Sequence, residues 1–96
     1  MHAIVDSRRD ELAALCRRFG VQRLEVFGSA ARDDFDEEHS DVDLLVDFER
    51  PIGLFEFLRL RRTLSSLIGR PVDLVTRAAL KPQLRDRILA EAIRAT

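Results

Sequence analysis

A chain of 96 residues can form one hydrophobic core but not two, so residues 1–96 are predicted to be a single domain. The 46% hydrophobic and 34% charged residues and the formal net charge of -1 indicate a globular protein. They argue against a disordered chain and against a broadly basic surface that binds nucleic acid. The one cysteine cannot form an internal disulfide and no long apolar run follows Met1, so we expect a cytoplasmic protein without a membrane segment.

The first half of the chain is predicted to contain one helix and two strands. Apolar residues at positions 12, 15, 16 and 19, followed by Gly20, indicate an amphipathic helix over residues 7–19. Residues 21–27 are a predicted strand that leads directly into Gly28, Ser29 and a short helical segment. Residues 41–48 are a second predicted strand, in which apolar side chains alternate with side chains that are mostly carboxylates. One face of this strand therefore belongs to the core.

The second half is predicted to contain two helices and one strand. An apolar stripe closed by Gly69 predicts a helix over residues 53–68, and residues 71–76 are a short predicted strand. A last helix over residues 82–94 is predicted to bury four apolar side chains: Leu84, Ile88, Leu89 and Ile93. This order of elements predicts an α/β or α+β domain, with a small mixed sheet of about three strands and helices packed on one face.

Negative charge is concentrated in one part of the sequence. Nine carboxylates and no Lys or Arg lie between Asp33 and Glu49. Asp41 and Asp43 are two residues apart on a predicted strand, so both point to one face, roughly 6 to 7 Å apart along the chain. Asp73 has the same position on the next strand, and three carboxylates would meet if the two strands were neighbours. Because Mg²⁺ binds carboxylates together with substrate phosphates, and two-metal sites use such a cluster of carboxylates, this pattern predicts a site for two Mg²⁺ ions.

A second motif precedes the carboxylates. Gly28 lets a phosphate approach the backbone, Ser29 offers a hydroxyl and an N–H, and Arg32 adds a cation nearby. Each motif alone also has a structural explanation, since Gly-Ser is common in turns and alternating Asp is common on the wet face of a sheet. A plain structural domain with an acidic face thus stays an alternative, and only the combination of motifs indicates a phosphate-and-metal site.

The combined pattern resembles the polymerase-beta-like nucleotidyltransferase superfamily, and more closely its minimal members, called MNT. These share the pattern Gly-Ser-x-Ala-Arg, a spacer, then Ser-Asp-x-Asp-Leu-x-Val. The segment from residue 28 to 48 reads GSAARDDFDEEHSDVDLLVDF. The residues that fit the pattern are Gly28, Ser29, Ala31, Arg32, Ser40, Asp41, Asp43, Leu44 and Val46. The size and element order of the whole chain fit the minimal nucleotidyltransferase fold as well.

The resemblance implies an activity and a set of site residues. It makes Asp41, Asp43 and Asp73 the catalytic carboxylates and the Mg²⁺ ligands. The nucleotide-binding residues that it implies are Gly28, Ser29, Arg32 and Ser40. The implied reaction transfers AMP from ATP to a hydroxyl group, with loss of pyrophosphate. One residue departs from the pattern, because Asp33 follows Arg32 where the family has Gly, and it adds negative charge near the phosphate site.

Minimal proteins of this kind resemble the antitoxins of HEPN/MNT toxin-antitoxin pairs, in which the antitoxin adenylylates a tyrosine of its HEPN ribonuclease partner. The chain contains no Tyr, so such an acceptor must lie on another molecule. Phe55, which lies off the apolar stripe of its helix, is a candidate contact for the partner. Two alternatives stay open: an antitoxin that neutralises its partner by binding alone, which Asp33 favours, and a nucleotidyltransferase that acts on a small molecule.

Overall fold

A four-stranded mixed sheet organises the protein, for which a computed structural model describes residues 3–31 and 41–96. The strands are β1 (Val21–Phe27), β2 (Val42–Phe48), β3 (Val72–Thr76) and β4 (Ile93–Arg94). Their order across the sheet is β3-β2-β1-β4. β1 pairs antiparallel with β2 and with β4, whereas β2 and β3 are parallel. Parallel neighbours require a long crossover connection, and a helix supplies it here.

Helices precede, connect and follow these strands. They are α1 (Ala3–Asp6), α2 (Arg9–Phe19), α3 (Leu54–Ile68) and α4 (Pro82–Glu91), and short 3₁₀ turns cover Gly28–Ala30 and Arg77–Ala79. In α2, acidic residues occupy the first turn and basic residues the last turn, which suits the helix dipole. The helix ends at Gly20, whose φ of 69° is the left-handed conformation that glycine adopts readily.

The main core lies between one face of the sheet and the pair α2 and α3. Leu12 from α2, Leu24 and Leu44 from the sheet, and Leu64 from α3 are all 0% exposed. A smaller cluster lies on the opposite face, where Phe27 and Leu45 contact Leu80 and partly buried side chains of α4. Since neighbouring residues of a strand point to opposite faces, Leu44 and Leu45 contribute to different clusters.

The predicted fold class is confirmed, with four differences in detail. The first predicted helix, over residues 7–19, begins at Arg9 as α2, and residues 7 and 8 form a turn between it and the short α1. The last helix ends at Glu91 and not at residue 94, because the chain then pairs with β1 as a fourth strand. The prediction that the helices pack on one face was wrong for α4, since Phe27 and Leu45 create an apolar patch on the second face that α4 covers. Leu84, predicted to be buried, is 44% exposed.

Candidate active site

Two of the predicted carboxylates lie side by side at one end of the sheet. In the parallel pairing of β2 with β3, Asp43 is directly opposite Asp73. Residues opposite each other on paired strands point to the same face, here the face that also carries Phe27. Asp43 is half-buried and Asp73 is exposed. The condition that the sequence analysis left open, that β2 and β3 are neighbours, is therefore met.

Asp41 lies just before β2 and is exposed to solvent. Its place two residues before Asp43 sets it at the same end of the sheet. Within residues 3–31 and 41–96, however, no three His, Cys, Asp or Glu side chains are grouped so that they could hold a metal ion. A metal centre built from Asp41, Asp43 and Asp73 together stays a prediction.

Gly28 brings the end of β1 against Asp43. The residue before it, Phe27, pairs with Asp43 across β1 and β2, and Gly28 itself has a φ of 66°. A Cβ atom placed on Gly28 would lie 2.3 Å from Oδ2 of Asp43, which is far inside van der Waals contact. A glycine is thus required here for two reasons, the left-handed backbone and the close approach of a carboxylate. Ser29 follows in the 3₁₀ turn and is half-buried.

The backbone N–H of Gly28 already has a carboxylate as its hydrogen-bond acceptor. Glu91, the last residue of α4, accepts this hydrogen bond through Oε1 at a distance of 3.0 Å. The two residues are 63 positions apart in the sequence. Our reading of the sequence missed Glu91, because it is one of many acidic residues on helices and belongs to no motif. Only the folded chain reveals that it contacts the predicted phosphate-binding turn.

Two other acidic residues on this face are paired with an arginine. Nε of Arg77 donates to Oδ2 of Asp47 at 2.8 Å, and its guanidinium also donates to Glu25. The hydrogen bond to Asp47 is the largest cause that raises the pKa of Arg77 above its ordinary value, and burial partly opposes it. This ion pair accounts for Asp47, which the sequence analysis placed in the acidic run. Its negative charge is offset locally and is separate from Asp43 and Asp73.

Several predicted residues fall elsewhere. Arg32 and Ser40, predicted to bind nucleotide, and Asp33, the departure from the family pattern, lie outside the described residues. Phe55 is 85% exposed near the start of α3, beside Leu54, which is 69% exposed. Cys16 is buried in the main core. Burial is the largest cause that raises the pKa of its thiol above the usual value.

The chemistry of this end of the sheet suits a divalent cation with a phosphorylated ligand. Asp43 and Asp73 offer hard oxygen atoms, which Mg²⁺ prefers. Gly28 has no side chain, and the carboxylate of Asp43 lies against its backbone. Two carboxylates on adjacent strands repel each other, and a cation between them would remove that cost. The residues present therefore fit a metal-bound nucleotide.

In the described ranges, no helix is long and apolar enough to cross a membrane.

Comparison with known proteins places these features in a family context. Residues 10–95 match the family model described as a nucleotidyltransferase domain. The protein adenylyltransferase MntA of Thermococcus cleftensis is 39% identical over 93 residues, which are 97% of this chain and 90% of the relative. A solved structure described as a "putative minimal nucleotidyltransferase" is 42% identical, with a TM-score of 0.81 and coverage of 97% of this chain and 95% of that one.

A more distant solved structure shares the fold. It contains a tri-AMPylated HEPN toxin of Shewanella oneidensis in complex with an MNT antitoxin. Its matched chain is 18% identical, with a TM-score of 0.70 and coverage of 96% of this chain and 71% of that chain. At this identity the likeness concerns the fold.

Proposed function

The chain belongs to the nucleotidyltransferase domain family, and from this premise we propose that it is a Mg²⁺-dependent enzyme that transfers AMP from ATP to a hydroxyl group of a HEPN-family toxin. In this role it acts as the antitoxin of the pair. The observation that carries the proposal is the placement of Asp43 beside Asp73 with the backbone of Gly28 packed against Asp43. The sequence motif and the tertiary structure thus lead to the same end of the sheet.

The proposed reaction assigns a task to each of these residues. Gly28 and Ser29 bind the triphosphate, and Arg32 and Ser40 complete the nucleotide site. Asp41, Asp43 and Asp73 would hold Mg²⁺, which would supply positive charge to offset that of the phosphates. Asp73 accepts the proton of the attacking hydroxyl, and its exposure leaves it accessible to an acceptor from outside. The acceptor oxygen forms a bond to the α-phosphorus, and the bond from that phosphorus to pyrophosphate breaks.

A protein acceptor is favoured by the chain's own composition and by its relatives. The chain contains no Tyr, so a tyrosine acceptor has to come from a partner. A relative at 39% identity bears the name protein adenylyltransferase. A solved complex with the same fold contains a HEPN toxin that carries AMP groups. Phe55 and Leu54 expose apolar surface near the start of α3, and we propose that the toxin covers this surface.

The test uses the purified protein and a candidate HEPN-family protein from the same genome. Both are incubated with ATP and Mg²⁺, and the intact mass of each is then measured. We expect the partner to gain the mass of one or more AMP groups, and its ribonuclease activity to fall. The Asp43→Asn and Asp73→Asn variants should lose the transfer while still folding. Asp86→Asn serves as the matched control, because Asp86 is exposed on α4 and has no assigned role.

The alternatives give different results in the same experiment. A partner that is inhibited but unmodified would mean that the protein neutralises its toxin by binding alone. Transfer that survives in both Asp variants would mean that these carboxylates are not catalytic. An acceptor among small hydroxylated molecules, with no change in the partner, would identify a small-molecule nucleotidyltransferase.

A further inference from the structure

The hydrogen bond between Gly28 and Glu91 concerns a donor that the proposed function needs for nucleotide. The N–H of Gly28 donates to Glu91 Oε1 at 3.0 Å, and Cα of the same residue lies against the carboxylate of Asp43. Gly28 therefore has an acidic side chain on two sides. A triphosphate that approaches this turn meets a donor that is in use and a like charge beside it.

A single backbone N–H directs its hydrogen at one acceptor. A phosphate oxygen that binds to Gly28 must consequently displace the Glu91 carboxylate. Hydrogen bonds to charged acceptors are stronger than those between neutral groups, so this displacement costs binding free energy. In the protein without ligand, the Glu91 carboxylate is the anion that this N–H binds.

The element that carries Glu91 has few buried anchors. α4 contains no fully buried residue, and Leu84 in it is 44% exposed. Its anchor is the small second cluster, to which Ile88 and Leu89 contribute as partly buried side chains. An element with few buried apolar contacts opens at lower free energy than the core elements. The chain after Glu91 pairs with β1, so rotation of the Glu91 side chain is the motion that would release the N–H of Gly28 without disturbing the main core.

We propose that Glu91 is an internal competitor of the nucleotide triphosphate, and that it lowers the affinity of the site by holding the N–H of Gly28 until nucleotide displaces it. This inference rests on the proposed function, since it takes Gly28 to be part of the triphosphate site. Glu91 closes the turn in the nucleotide-free protein and leaves when the ligand arrives.

The test measures ATP affinity by isothermal titration calorimetry at constant Mg²⁺, with no partner present. Glu91→Gln keeps an acceptor for the N–H but removes the charge, and Glu91→Ala removes both. We expect ATP to bind about fivefold more tightly to the Gln variant and about tenfold more tightly to the Ala variant. Glu11→Gln is the matched control, because it makes the same charge change on α2, which packs on the other face of the sheet. Its affinity should equal that of the unaltered protein.

The outcomes separate this inference from the proposed function. If ATP binds but neither Glu91 variant binds it more tightly, the competitor role is wrong. Weaker binding in both variants would mean that Glu91 only supports the turn, which also overturns the proposal. If the unaltered protein and all variants bind no ATP, the nucleotide site itself is refuted, and the inference falls with it. A melting temperature for each nucleotide-free variant checks that it is folded.

Discussion

Replacing Gly28 by Ala tests how closely the backbone approaches Asp43. Two costs add at this position. A non-glycine residue in the left-handed region costs roughly 1–2 kcal/mol, and φ of Gly28 is 66°. The new Cβ would also lie 2.3 Å from Oδ2 of Asp43, and overpacking of this kind costs about 1–3 kcal/mol. We expect Gly28→Ala to lower the free energy of unfolding by about 2–5 kcal/mol and to weaken ATP binding, because Asp43 must move.

Two comparisons divide this cost into its parts. Gly20→Ala carries the backbone cost alone, because Gly20 has a φ of 69° and no atom lies within 4 Å of the position that the alanine Cβ would take. In an Asp43→Ala background the clashing Oδ2 is absent, and the nearest remaining Asp43 atom, Cβ, is 3.5 Å away. Gly28→Ala should then cost about 1–2 kcal/mol, as Gly20→Ala does. The double-mutant cycle therefore gives the coupling between Gly28 and Asp43 directly.

Urea unfolding followed by far-ultraviolet circular dichroism is the suitable assay, since the chain has no Trp or Tyr for fluorescence. A difference of about 1 kcal/mol should also move the melting temperature by roughly 4–8 °C in a domain of this size. If Gly28→Ala destabilises no more than Gly20→Ala, Asp43 does not press on the turn. The reasoning is also refuted if Gly28→Ala, made in the Asp43→Ala background, still destabilises the protein more than Gly20→Ala does.

Three further predictions concern stability away from the site. Leu64→Ala should lower the free energy of unfolding by about 2–5 kcal/mol because Leu64 is 0% exposed, whereas Leu54→Ala should change it by less than about 0.5 kcal/mol. Similar urea midpoints for the two variants would contradict the assigned core. Arg77→Met should lower the free energy of unfolding in urea by about 1 kcal/mol at low salt, because it leaves two carboxylates without their cation. This difference should shrink at high salt. A difference that does not depend on salt would show that the ion pair is not its source. Burial raises the pKa of Cys16, so the folded thiol holds its proton more tightly than the unfolded thiol. The stability that the protonated thiol contributes is complete below the usual thiol pKa of about 8.5 and is lost as the pH rises through the raised value. The difference in free energy of unfolding between the unaltered protein and Cys16→Ala should therefore shrink in urea titrations at alkaline pH under reducing conditions. A difference that stays constant would mean that the thiol does not titrate.

The strands that form the site were readable from the sequence because their pattern is local. Alternation along residues 42–48 follows from the strand geometry alone, and the structure has β2 at Val42–Phe48. The same rule placed Asp73 on the face of Asp43, provided that β2 and β3 are neighbours. Parallel pairing of these strands satisfies that condition. A strand whose side-chain pattern depends only on near neighbours in the chain can thus be predicted from the sequence.

The end of the chain was predicted less well because its structure depends on distant partners. Ile93 continues the apolar spacing of α4, yet it pairs with Val26 of β1 as part of β4. The backbone groups of β1 that face this edge need partners, and the N–H of Ala95 donates to the carbonyl of Leu24 at 2.8 Å. The apolar spacing of a helix gives no sign that these residues pair with β1 instead.

What the sequence by itself determined is the type of chemistry: a glycine before a serine, an Asp-x-Asp pair and a later Asp, each in a recognisable local element. What only the tertiary structure decided is which other groups reach that chemistry. Arg77 forms an ion pair with Asp47 of the acidic run, and Glu91 accepts a hydrogen bond from the N–H of Gly28. The physical reason is that side-chain type and strand alternation are local properties, whereas a contact between residues 63 positions apart exists only after the sheet and α4 have packed.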